Sequence, residues 1–293
     1  MPTFETPNPI TLSVELGAGE LHVIASDRHD TVVDVQPGHA GKTSDANAAA
    51  QTRVEYADGR LVVRAPRGWR SFGFRGARES VRVEVALPAG STLEGDAGAG
   101  QVRTEGPLGE CRFKIGAGDI ELAEARAVQL KTGAGAIRVG HTAGNAECVT
   151  GSGAVHVGRV DGTAIVKNAN GSTTLGVVTG DLRVTAANGS VSVDEARSSV
   201  VAKTANGSVD IGAVSCGAVV AETAMGRVRI GVVDGVAAWL DLNTQFGQVR
   251  SDLDASERPA PGEPTVEVRA RTSFGDITIS KVAGDAARVD RGD

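Results

Sequence analysis

Apolar and polar residues alternate in short runs along this chain, and the runs recur. Val191 and Val193 flank Ser192, Val209 and Ile211 flank Asp210, and Val228 and Ile230 flank Arg229. Alternation with a period of two predicts a strand with one buried face. Each run follows a glycine by two residues, and a second apolar run precedes that glycine. Leu182 and Val184, Val200 and Ala202, and Val219 and Ala221 lie seven and five residues upstream, with Thr185, Lys203 and Glu222 at outward positions.

The marker glycines are Gly100, Gly118, Gly135, Gly153, Gly171, Gly189, Gly207, Gly226, Gly247 and Gly275, at steps of 18, 17, 18, 18, 18, 18, 19, 21 and 28 residues. Such a period is the mark of a repeat architecture. A strand–turn–strand–turn unit of this size cannot bury its own apolar face. It can do so as one coil of a β-solenoid, each rung pairing in parallel with the next. The expected fold is therefore all-β: a single flattened parallel β-solenoid of about ten rungs. The crossover rule favours a right-handed coil, although compact hexapeptide-repeat solenoids depart from it.

The turns carry their own pattern. Asn170-Gly171, Asn188-Gly189 and Asn206-Gly207 occupy one position in three successive rungs. Asn-Gly suits a tight corner that needs positive φ, and stacked amides form a ladder. The same column continues as Met225, Phe246 and Phe274, read as apolar stacking that covers the C-terminal rungs; the alternative is an aromatic binding stripe.

Residues 1–92 are less regular and read as an N-terminal antiparallel β cap, continuous with the solenoid at 93–282. Residues 283–293 read as a disordered tail. Within the cap, Asp58-Gly59 predicts a hairpin, and a short helix starts near Ser44. A cap is needed because an open solenoid end leaves unpaired strand edges.

Composition narrows the function classes. Thirty Lys and Arg stand against 36 Asp and Glu, a net charge of −6, which argues against general nucleic-acid binding. No apolar run is long enough to form a membrane span, and the N-terminus lacks the basic and apolar regions of a signal peptide. Cys111, Cys148 and Cys216 lack metal-ligand spacing and fit a reduced setting, so a cytoplasmic location is the expectation. The first two fall at inward strand positions and the third at a turn.

Candidate chemistry is sparse. The outward column Arg103, Glu121, Arg138, His156, Thr174, Ser192, Asp210, Arg229, Arg250, Thr278 brings no two acids together, so it offers no carboxylate pair and no Ca²⁺ cluster. His141 and His156 fall in adjacent rungs without a third ligand. No catalytic residue, metal site or cofactor is expected. One stretch stands apart: Arg67, Trp69, Arg70, Phe72, Phe74, Arg75 and Arg78 place three of the chain's nine aromatic residues among four arginines. Trp and Arg are enriched at binding hot spots, which makes this stretch the candidate partner-binding site. The bland alternative is a hairpin loop with solvated arginines.

The elements "VRVEVALPAG", "TGAG" (Thr132–Gly135), "TGSG" (Thr150–Gly153), "TANG" (Thr204–Gly207) and "RTSFGDITIS" resemble the bacterial putative-adhesin β-strand-repeat family, a domain of unknown function, over residues 10–282. The resemblance implies a β-solenoid, carries no established catalytic residues, and implies a cell-surface role. The expectation from sequence is thus a non-enzymatic scaffold or binding protein that engages an unidentified protein partner. The alternatives are self-association through solenoid ends, a cell-surface adhesin, or an enzyme acting on polysaccharides.

Overall fold

Strands form wherever the alternation runs, and burial follows it residue by residue. A computed structural model describes residues 1–66, 79–253 and 264–283. Its backbone divides into two units. One is Met1–Ala143 with Glu147–Gly151; the other is Gly144–Ala146 with the described residues from Ser152 onward.

The first unit holds β1 (Thr3–Glu5), β2 (Thr11–Ser26), β3 (Asp30–Pro37), helix α1 (Thr43–Gln51), β4 (Arg53–Ala57), β5 (Arg60–Arg64), β6 (Val81–Pro88), β7 (Thr92–Ala117), β8 (Ile120–Ala134), β9 (Ile137–Thr142) and most of β10 (Ala146–Ser152). β2, β7 and β8 pair in parallel, in the order β2–β7–β8, and β9 follows on β8. The antiparallel cap is present: β4 pairs with β5, β3 with β6, and β1 with β3. Asp58, with φ 49°, and Gly59, with φ 74°, make the β4–β5 turn. This φ > 0 pair is the one that hairpins favour.

One strand within 1–92 is not antiparallel. β2 runs parallel to β5, β6 and β7, with Thr11↔Thr92 and Gly19↔Gly100 in register. Its Gly19, at φ 146°, takes the same turn as Gly100 at φ 138°. The glycine column therefore begins one rung before Gly100. An insertion of antiparallel strands and helix separates that first copy from the others in sequence.

The cap is locked by a buried carboxylate. Asp45 is fully buried on α1. It sits 2.9 Å from Lys42 Nζ and 2.9 Å from His39 Nδ1, and accepts the Ser80 N–H at 3.2 Å. The Lys42 ammonium, with help from His39 and Ser80, holds its carboxyl well below the usual carboxylate range.

The second unit holds β11 (Val155–Val160), β12 (Ala164–Asn170), β13 (Thr173–Val178), β14 (Leu182–Asn188), β15 (Val191–Ala196), β16 (Val200–Asn206), β17 (Val209–Val214), β18 (Gly217–Met225), β19 (Val228–Val233), β20 (Ala237–Phe246), β21 (Val249–Ser251), β22 (Thr265–Phe274) and β23 (Ile277–Val282). Its strands form two parallel ladders. One runs β11–β13–β15–β17–β19–β23–β21. The other runs β12–β14–β16–β18–β22–β20. Inward residues such as Val184, Val193, Ala202 and Ile211 are buried. Each buried Val, Leu or Ile contributes roughly 1.5–3 kcal/mol.

The stacking order departs from the sequence order at the C-terminal end. The rung made by β22 and β23 lies directly on β18 and β19, and the earlier rung, β20 and β21, lies outside it. The chain steps out by one layer and then returns to fill the gap.

Cys111 and Cys148 are core residues, and burial pushes both thiols up to about 12. Cys216 is half-buried, its Sγ 3.0 Å from the Arg197 carbonyl oxygen. Ellman's reagent is therefore expected to titrate one thiol in the native protein and all three in denaturant. Rapid modification of two or three native thiols would contradict this packing.

Candidate interaction surface at the C-terminal rungs

Each rung of the second unit turns through a corner whose residue lies just before the marker glycine. At three successive corners the amides hydrogen-bond in a column: Asn188 Nδ2 donates to Asn170 Oδ1 at 2.9 Å, and Asn206 Nδ2 to Asn188 Oδ1 at 2.8 Å. The register then places Met225 next to Asn206, Phe274 next to Met225, and Phe246 next to Phe274.

The two phenyl rings stack, with centroids 4.9 Å apart and planes 7° from parallel. The stacking expected from sequence is there, but not the covering role. Met225 is 55% exposed, Phe274 54% and Phe246 64%. The corner projects these side chains away from the aliphatic interior, so the column presents apolar surface to solvent. Among the described residues, six large hydrophobic side chains are exposed, and five of them are Met225, Trp239, Phe246, Val249 and Phe274. Clustering of this kind marks an interaction surface, whereas scattered exposure does not.

Beside the column lies a shallow groove of about 520 Å³ on the outer face of β16, β18, β22 and β20. Its lining includes Lys203, Glu222, Arg271 and Asn243, which form one outward row across the four strands, and the small residues Ala205 and Ala224. Lys203 Nζ is 2.8 Å from Glu222, and Arg271 is 3.6 Å from Asp241. At the other end of β20, Trp239 is exposed with the Arg269 guanidinium 6.0 Å from its ring centre, a cation–π placement. The surface thus combines aromatic faces with paired charges. This set of groups suits recognition.

The other candidates from sequence are dispersed. His141 lies 3.5 Å from Glu124, and His156 is exposed opposite Thr174. No group of three metal-ligating side chains occurs among the described residues. The basic-aromatic residues Arg67, Trp69, Arg70, Phe72, Phe74, Arg75 and Arg78 lie outside the described residues. What sequence reasoning missed is that Phe246 lies on the outermost rung, with Phe274 between it and Met225. The long final step of 28 residues was the available signal, since it left room for the chain to return inside.

A family model described as Toastrack DUF4097 matches residues 12–291. Among solved structures, a putative adhesin from Parabacteroides distasonis ATCC 8503 shares 17% identity, with 96% of this chain and 95% of that chain covered and a TM-score of 0.44. A putative adhesin from Parabacteroides merdae ATCC 43184 shares 12%, with 96% and 95% covered and a TM-score of 0.44. A putative lipid binding protein from Parabacteroides distasonis ATCC 8503 shares 12%, with 96% and 95% covered and a TM-score of 0.29. No curated protein matches the chain.

Proposed function

The chain belongs to the Toastrack DUF4097 family, and from that premise we propose that it is a non-enzymatic binding or scaffold protein that engages a protein partner through the Met225–Phe274–Phe246 column. The observation that carries this reading is the stacked, solvent-facing phenyl pair. Apolar rings held at a rigid corner lose little conformational freedom on binding, which is why aromatic residues serve as anchors. The adjoining row of Lys203, Glu222 and Arg271 supplies a polar rim. The basic-aromatic stretch around Trp69 and Arg70 is the second contact in this reading.

A photo-crosslinking residue placed at position 246 tests it in native lysate. A discrete adduct with another protein is expected there and none from position 192, a residue on an outward strand position. For that partner, the double substitution Phe246→Ser, Phe274→Ser is expected to weaken affinity about thirtyfold, the scale of one strong hot spot. Equal adduct patterns at positions 246 and 192 would remove the column from consideration.

A further inference from the structure

We infer that the open edge formed by β20 and β21 is the contact through which two copies of this chain join as a closed dimer. The inference stands apart from the partner reading. The column offers side chains projecting from a corner, whereas the edge offers backbone groups and the end of the core.

The edge is unblunted along β20. Among the described residues, β20 pairs with β22 and β21 with β23, and neither pairs on its other side. The Phe246 and Gln248 carbonyls accept the Gly275 and Ile277 N–H groups. Strand alternation then turns the N–H and C=O of Trp239, Asp241, Asn243 and Gln245 away from β22. Natural edges are guarded by shortness, lysine, proline or bulges. β20 runs for ten residues, AAWLDLNTQF, with none of these, whereas β21 is three residues, VRS, and guards only its own short stretch. Its inward Leu240 and Leu242 are half-exposed, although their register partners Val268 and Ala270 are buried, and Val249 is 46% exposed. The core ends there without a lid among the described residues.

Three observations select a second copy as the occupant. Among the described residues, the N-terminal rung offers no matching parallel edge. β2 is flanked by β5 and β6, and beyond them stand antiparallel β3 and β4, three-residue β1 and helix α1. Continuation of the parallel ladders onto the N-terminal rung of another copy is thereby blocked, and the matching end a copy offers is its own β20–β21 edge, related by a two-fold axis. The edge carries one acid on β20, Asp241, which lies 3.6 Å from Arg271, and one base on β21, Arg250, so the strands of two edges meet with balanced charge. The area is adequate: β20 is about 30 Å long and the shorter segment around β21 about 20 Å, and with side-chain layers about 10 Å deep they cover roughly 500 Å² per copy. Two copies then bury roughly 1,000 Å², the threshold for a specific interface.

Sedimentation velocity of the purified full chain, from about 1 to about 100 μM, tests the inference. The expected result is a species of twice the 29.8 kDa chain mass that gains population with concentration and does not grow further. Asn243→Pro removes an outward-facing N–H at an edge position where proline is tolerated. Leu242→Lys places a charge at the junction. Each is expected to raise the dimer dissociation constant at least about tenfold while strand content stays unchanged. Hydrogen exchange on the unmodified chain gives a second reading, independent of either variant's folding: β20 amides become protected as concentration rises. A monomer throughout the range would overturn the inference, whether the edge is covered by the chain's own residues or by another protein. So would a dimer indifferent to both substitutions, or open-ended growth.

Discussion

Valine in place of Gly189 is expected to destabilise the second unit by about 4 kcal/mol or more, among the largest losses a single substitution produces. Gly189 turns at φ 143°, and a Cβ built on it would lie 2.0 Å from the Gly171 carbonyl oxygen. Strain from the left-handed backbone costs about 1–3 kcal/mol by itself. The overlap adds to this, because the obstructing atom is backbone in a hydrogen-bonded neighbouring rung and has nowhere to go. Gly235 separates the two contributions. Its φ is 81°, and nothing lies within 4 Å of its Cβ position, so Gly235→Ala should cost only about 1–2 kcal/mol. Urea unfolding of Gly189→Ala, Gly189→Val and Gly235→Ala makes the comparison. If Gly189→Ala loses no more than Gly235→Ala, the rungs are not packed backbone to backbone at this corner.

Alanine in place of Asn168 is expected to cost about 2–3 kcal/mol by leaving part-buried carbonyls without their side-chain donor. The structure gives this residue an unusual task. Three residues before the marker glycine, most rungs carry a threonine whose hydroxyl donates to the glycine carbonyl of the neighbouring rung. Thr204 reaches Gly189 at 3.2 Å, Thr223 reaches Gly207 at 2.9 Å, and Thr272 reaches Gly226 at 3.0 Å. Asn168 holds this position in its own rung, and its register partner in the next rung is Ala186, which has no hydroxyl. The Asn168 amide serves both places, donating to Gly153 at 3.1 Å and to Gly171 at 3.0 Å. Thr173, a buried polar residue in register with Val155 and Val191, also lies within its reach at 3.3 Å. Asn168→Thr should therefore restore one bond and lose the other. Adding Ala186→Thr should recover most of the loss, a coupling that a double-mutant cycle in urea reads directly. Simple additivity of the two substitutions would show that the shared amide carries no such burden.

The repeat was legible in the sequence because a solenoid writes the same physical demand every eighteen or so residues. Small residues turn the corner, and aliphatic ones face inward at fixed offsets from it. The rung around Gly19 escaped because its nearest copy lies beyond the antiparallel insertion, so no neighbouring period flags it. The out-of-order C-terminal rungs escaped for a different reason. Leu240 and Leu242 fit the inward columns as well as Val268 and Ala270 do, so local pattern identifies a rung but does not say which rung it lies against. The phenyl column was visible as a column. Its exposure was not, since alternation assigns inward and outward along strands and says nothing about a corner.

The reversed order of the last two layers bears on how the chain is made. A ribosome that has released residues through Leu253 has delivered β20 and β21 but not the strands that separate them from β18 and β19. Aliphatic columns in both layers match, so direct docking of the earlier-made layer is open to the nascent polypeptide. The native arrangement then requires the later segment to displace that contact and wedge itself in. Where the earlier-made layer docks first, completion of this fold is a strand-invasion event by the β22–β23 segment.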